Sequence, residues 1–141
     1  MPFHRIYCPP DLYTKEEKDA IAKAIMECYQ RLPKFYVIVN FIHVENDDYY
    51  IGGERSEGRF VRFLVHHLAR TMITEEEKRE WMDKYEKCIA PWTKDKGINW
   101  EVGISNQDPV FWNENGIRPP PMFSEPFKTW KQDNKPSPYI L

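Results

Sequence analysis

The sequence is short of several things, and each absence excludes a class of function. No apolar run approaches the roughly 20 residues that span a bilayer, so a membrane helix is excluded. There is no basic block: 20 Lys and Arg stand against 22 Asp and Glu, a net charge of −2. That balance argues against a nucleic-acid partner. Cysteine is scarce, with only Cys8, Cys28 and Cys88. An odd, scattered set reads as reduced thiols, not as a disulfide frame. The opening Met-Pro-Phe-His-Arg has none of the apolar stretch of a secretion signal. The expectation is a cytoplasmic domain.

What is present is unevenly placed. The length of 141 residues suits a single domain, 1–141, and a folded chain of this size hides roughly 68–70% of its unfolded surface. Seven of the 12 prolines lie at or beyond Pro109, and all five tryptophans at or beyond Trp81. Before that point the pattern is regular. Residues 2–8 read as a strand stopped by Pro9-Pro10, and Thr14-Lys15-Glu16-Glu17 as a capping box that opens a helix. Ile21, Ala24, Ile25, Cys28 and Leu32 give that helix one apolar face, Pro33 ends it, and 35–44 is the next buried strand.

The second half repeats the order. Residues 60–68 read as a strand, Thr74-Glu75-Glu76-Glu77 as a second capping box, Trp81 to Trp92 as a helix face, and 98–105 as a strand. A shift of 60 positions lays Thr14 on Thr74, Glu16 on Glu76, Glu17 on Glu77, Lys18 on Lys78 and Cys28 on Cys88. The predicted fold is therefore α/β (α+β): tandem β-α-β units, about 2–58 and 59–107, forming a four-stranded sheet with two helices on one face. The uncovered face predicts an oligomer. From about 108 to 141 an aromatic and proline-rich C-terminal arm follows, expected to lie ordered on the sheet or on a neighbouring copy.

Few residues offer chemistry. Met followed by a small residue is usually trimmed, which leaves Pro2 with a secondary amine able to act near neutral pH as base, acid or nucleophile. His66 and His67 are adjacent on a strand and point to opposite faces, and His4 and His43 lack a partner at ligand spacing, so no metal is expected. Cys28 and Cys88 fall on apolar helix faces and read as inert core thiols. Gly52-Gly53 reads as a turn. Pro119-Pro120-Pro121 fits docking within the protein's own oligomer better than a polyproline ligand.

Pro2 at the head of a doubled β-α-β unit resembles the tautomerase superfamily, whose subunits pair such units around a catalytic amino-terminal proline. The likeness is to the cis-3-chloroacrylic acid dehalogenase group and its fungal oxalocrotonate-tautomerase type. Met1-Pro2, Ile6-Tyr7, Pro9-Pro10, FYVIVNFI (35–42), Gly52-Gly53, FVRFLVHHLAR (60–70), KGINWE (96–101) and WNENGIRPPP (112–121) carry it. The resemblance implies catalytic roles for Pro2, for Arg70 as a carboxylate anchor, for Glu114 as the group that activates water, and for Tyr29 where the group has an assisting histidine. Ile73 stands where a second arginine is expected, with Arg62 or Arg59 as substitutes, and Gly103 where a tyrosine is expected. It implies a cofactor-independent tautomerase or hydratase acting on a small 2-oxo or α,β-unsaturated carboxylate, and a homotrimer. Two alternatives stand beside it: a non-catalytic binding or scaffold oligomer of the same fold, and an imine-forming decarboxylase.

Overall fold

Alternation in the strands and caps on the helices produce the predicted order. A computed structural model describes residues 1–68 and 71–140. β1 (Pro2–Cys8) leads to α1 (Lys15–Glu27) and β2 (Ile38–His43). β5 (Phe60–His67) leads to α2 (Glu75–Ile89) and β6 (Asn99–Asn106). Between the halves, β3 (Tyr50–Ile51) and β4 (Glu54–Arg55) form a small hairpin. Its turn is Gly52-Gly53, both at positive φ, the backbone that a two-residue hairpin demands. The sheet order is β2-β1-β5-β6, parallel within each unit and antiparallel where β1 meets β5.

Period-two burial fixes which side chains see the helices. His4, Ile6 and Cys8 of β1 and Val61, Phe63, Val65 and His67 of β5 are buried beneath α1 and α2, with Ile21, Ile25, Tyr85 and Ile89 facing them. The two halves are related by more than one offset. The helix caps keep the 60-residue shift, whereas the strand registers differ: paired positions lie 35 residues apart in the first unit (Ile6 and Phe41) and 39 in the second (Phe63 and Val102). The path from one paired strand to the next is therefore four residues longer in the second unit.

The two caps also diverge. Thr74 and Glu77 complete a reciprocal capping box, with Glu77 N donating to Thr74 Oγ1 at 3.1 Å and Thr74 N to Glu77 Oε2 at 3.2 Å. At α1 only the first half forms: Glu17 N donates to Thr14 Oγ1 at 3.1 Å. The Glu17 carboxylate instead accepts from Lys96 Nζ at 2.9 and 3.0 Å, tying α1 to the start of β6. A tertiary ion pair has displaced half of the local motif.

The arm is ordered, and it contains a helix that the sequence pattern left out, α3 (Glu125–Asp133). Ser124 caps it, Pro126 sits in its first turn, and Asn134 closes it at φ 51°. Its apolar face is only Phe127 and Trp130, too short for a periodicity to stand out. These rings and Trp112 fill the corner where α1 leads into β2. Tyr36 lies 4.7 Å from Trp112 between ring centroids, 6.3 Å from Phe127 and 6.4 Å from Trp130. Asn134 Oδ1 accepts from Phe35 N at 3.1 Å, pinning the helix end to the same corner. Among the described residues the arm does not cover the open face of the sheet, where Ile38 is still 37% exposed.

Candidate active site

Pro2 is the first residue of β1, and its antiparallel partner is His67 at the end of β5. Both are buried on the helix side of the sheet. Pro2 suits a strand start because its missing N–H costs no ladder bond there. A cavity of about 590 Å³ opens beside it, lined among others by Tyr29, His67, Met72, Trp81 and Phe123. Lys84 and Arg31 supply positive charge to its wall, and Glu27 a negative one.

Tyr29 lies just past α1, where a tight turn carries it inward to 6% exposure. Its hydroxyl shares a 2.6 Å hydrogen bond with His67 Nε2. Trp81, from α2, packs against both rings at 5.1 and 5.2 Å. Burial keeps the Tyr29 phenol protonated by pushing its pKa well up. Burial, and then the nearby chain amine, lower His67 to about 4, so the ring is neutral at neutral pH. His4 behind it is lowered to about 3 by burial and by His67, and binds Tyr85 Oη through Nδ1 at 2.9 Å.

These histidines set a pH dependence. In the unfolded chain they protonate near 6.5, but in the folded protein only near 4 and 3. Between those values the unfolded state binds more protons, so stability falls as pH drops from 6.5. At pH 4.5 His67 alone costs on the order of 2–3 kcal/mol. Urea midpoints measured from pH 7 to 4.5 should fall steeply, and His67→Gln should flatten part of that slope. An equally steep profile in the variant would remove His67 as the source.

Glu114 comes from the arm. It sits in a tight turn whose backbone bonds pair it with Ile117, with Asn115 and Gly116 at positive φ between them. Half-burial raises its pKa, while the Trp112 indole, donating to Oε1 at 3.1 Å, and the chain's amine lower it. The coupling is mutual: burial lowers the Met1 amine to about 4, and Glu114 opposes that shift. The carboxylate and the chain start therefore share one electrostatic environment. Met1 itself is half-buried, its carbonyl accepting from Leu68 N at 3.2 Å.

The remaining sequence expectations divide. Arg70 lies outside the described residues. Ile73 is 77% exposed and offers no cation. Arg62 does not replace it within the protomer: it points to the open face, pairs with Glu101 at 2.8 Å, and lies five residues from His67, roughly 16 Å along the strand. Arg59 is farther still, donating to the Lys96 carbonyl at 3.2 Å. Gly103 pairs with Leu64 on the open face, away from Pro2 in the same chain. The predicted opposition of His66 and His67 holds: His66 takes Arg5 Nη2 at 3.0 and 3.1 Å on the open face, and His67 faces Pro2's cavity. Cys28 and Cys88 are only half-buried. The Cys88 thiol donates to the Ala24 carbonyl at 3.0 Å, and the two neighbouring thiols pull apart electrostatically, Cys28 lowered and Cys88 raised.

Residues 1–135 match the family described as "Putative oxalocrotonate tautomerase enzyme". The chain belongs to that family. Solved structures place it closely among tautomerase folds. Native RhCC from Rhodococcus jostii RHA1 is 34% identical, with 97% of this chain and 99% of RhCC aligned at a TM-score of 0.92. A protein from the thermophilic fungus Aspergillus fumigatus is 35% identical over 99% of this chain and 98% of its own, at 0.91. N1, a member of the cis-3-chloroacrylic acid dehalogenase family, aligns over 93% of this chain and 96% of its own at 0.72. At 15% identity that match speaks for the fold alone. No curated protein matches the chain. Within this tautomerase family, the sequence reading missed His67 and Trp81 as parts of the site. Alternation along β5 was the signal for His67, and it was used only to dismiss a metal.

Proposed function

We propose that the protein is a cofactor-independent tautomerase or hydratase that uses the Pro2 amine on a small 2-oxo or α,β-unsaturated carboxylate. The observation that carries this reading is the burial of Pro2 at the head of β1, on the wall of a cavity that Tyr29 and His67 share. Once Met1 is removed, the amine is that of Pro2, one residue further into the same buried environment. Burial favours the neutral form of an α-amine and a nearby carboxylate favours its cation, the two forms that proton uptake and delivery require. In tautomerisation the neutral amine takes a proton from one carbon of the substrate and returns it to another. In hydration Glu114 takes a proton from water as its oxygen bonds to C3, and cationic Pro2 protonates C2.

Tyr29, held by His67, is positioned to hydrogen-bond a substrate oxygen. Arg70, two residues beyond Leu68, is the carboxylate anchor in this reading. The half-exposed apolar residues Phe3, Tyr7, Ile38 and Ile42 on the open sheet face suit a homotrimer. Fused 4-OT, a structure of the same fold at 12% identity, is described as an asymmetric trimer. The three free thiols agree with a cytoplasmic setting.

Intact mass spectrometry tests the premise. The expected mass is that of the chain lacking Met1, and such protein should accelerate decay of the ultraviolet absorbance of a 2-hydroxy-2,4-dienoate. Retained Met1 would leave an amide at Pro2 and sink the acid–base reading. The exposed Ile73 in place of a cation would then favour the non-catalytic oligomer.

A further inference from the structure

One cation on the wall of the Pro2 cavity is held in place without a charged partner. Lys84 lies on α2, one turn after Trp81, and lines the cavity together with Pro2, Tyr29 and His67. Its ammonium is fixed from two sides. Nζ donates to the carbonyl of Cys28, the residue that closes α1, at 3.2 Å, and lies 5.0 Å from the centroid of the Trp81 ring. The end of a helix and the face of an indole both favour a cation. Among the described residues no carboxylate comes within ion-pair distance of it, and Glu27 on the same wall accepts from Gln30 Nε2 instead. An ammonium has three donors, so two remain for a ligand. Trp81 also packs 5.1 Å from Tyr29, which places Nζ within about 10 Å of the phenol ring. A 2-oxo carboxylate hydrogen-bonded at both ends bridges about 8 Å between an ammonium nitrogen and a hydroxyl oxygen.

We propose that Lys84 is a substrate-binding cation of this site, donating to the substrate carboxylate while Tyr29 holds the neighbouring 2-oxygen beside Pro2. This rests on the proposed function and adds a residue to it. Lys84 does from α2 what the uncharged, 77% exposed Ile73 cannot do from the segment after β5. The change of residue type alters recognition. A guanidinium grips both carboxylate oxygens in one plane, whereas an ammonium on a four-carbon stem is a point charge that accepts many orientations. Lys84 therefore selects for negative charge, and the rings of Tyr29 and Trp81 are left to orient the substrate's body. The class so favoured is an anionic 2-oxo or 2-hydroxy acid over its neutral ester.

The test is steady-state kinetics of the Met1-free protein with a 2-hydroxy-2,4-dienoate and, separately, with its methyl ester. Lys84→Gln should raise KM for the acid roughly 10–100-fold, the size of a lost charge-assisted hydrogen bond, with kcat within about threefold. The ester, which has no charge to lose, should keep its wild-type kinetics, so the preference for acid over ester should shrink by the same factor. Lys84→Arg, which restores the charge, should recover most of the affinity. Lys87→Gln removes an equal charge from an exposed position on the same helix, outside the wall of this cavity, and should change neither substrate's KM. A Lys84→Gln KM for the acid within twofold of wild type, a loss confined to kcat, or an equal loss for acid and ester overturns the role of Lys84. An equal effect from Lys87→Gln does the same, since it would mark a field spread over the whole helix. Wild-type protein that turns over neither the acid nor the ester overturns the proposed function itself and this inference with it.

Discussion

Pro2→Ala lowers kcat/KM by roughly 10²–10⁴-fold, the range of a lost acid–base catalyst, or about 3–5 kcal/mol of transition-state stabilisation. Alanine also follows a trimmed methionine, so an amine remains at the site. It is a primary amine on a backbone no longer fixed by a ring, and its proton is no longer aimed into the cavity beside Tyr29. The loss should fall mainly on kcat, because Tyr29 and the cations lining the cavity are untouched. β1 should persist, since its ladder bonds to β2 and β5 run through residue 8 and do not depend on the ring. Steady-state kinetics with a 2-oxo acid enol would decide. Activity within tenfold of wild type would mean that the amine does not carry the proton.

Trp130→Ala removes about 3–5 kcal/mol of stability, lowering the melting temperature by roughly 10–20 °C. Trp130 is fully buried, and its indole N–H donates to the Ser137 carbonyl at 2.8 Å. Its ring touches Phe35, Tyr36 and Tyr139 at 5.9, 6.4 and 6.1 Å between centroids. The loss therefore does not stay in the arm. Tyr36 and Trp112 rest on the same cluster, and Trp112 orients Glu114, so activity should fall with the fold still intact. Calorimetry alongside activity at 20 °C checks both parts. A stable variant would show that the arm contributes little, whatever its aromatic content.

The sequence made the doubled unit legible because strand alternation and helix caps are local signals. Thr74 and Glu77 form the predicted box in full. Glu17 escaped, because its partner Lys96 lies 79 residues away, beyond any local pattern. The same limit hid α3, whose two buried residues have meaning only against Phe35 and Tyr36. Within the site, the resemblance pointed to Tyr29 and Glu114 by alignment. What each one touches was beyond it: the Tyr29–His67 bond spans 38 residues, and the Glu114 carboxylate is held by the Trp112 indole in a turn of the arm. Unpaired groups are less legible still, since Tyr36 reads as one more aromatic in a buried strand until its hydroxyl is seen to lack a partner among the described residues.

The antiparallel seam between β1 and β5 has a consequence for stoichiometry. It joins two units that each open on their own strand start, Pro2 in β1 and Phe60 in β5. Two such strand starts per chain would make six in three chains. The nitrogen of Phe60 is a peptide amide joined to Arg59 and takes up no proton at neutral pH. Duplication within one chain thus leaves half of the strand starts chemically silent. A reagent that seeks the proline amine should saturate at one equivalent per chain.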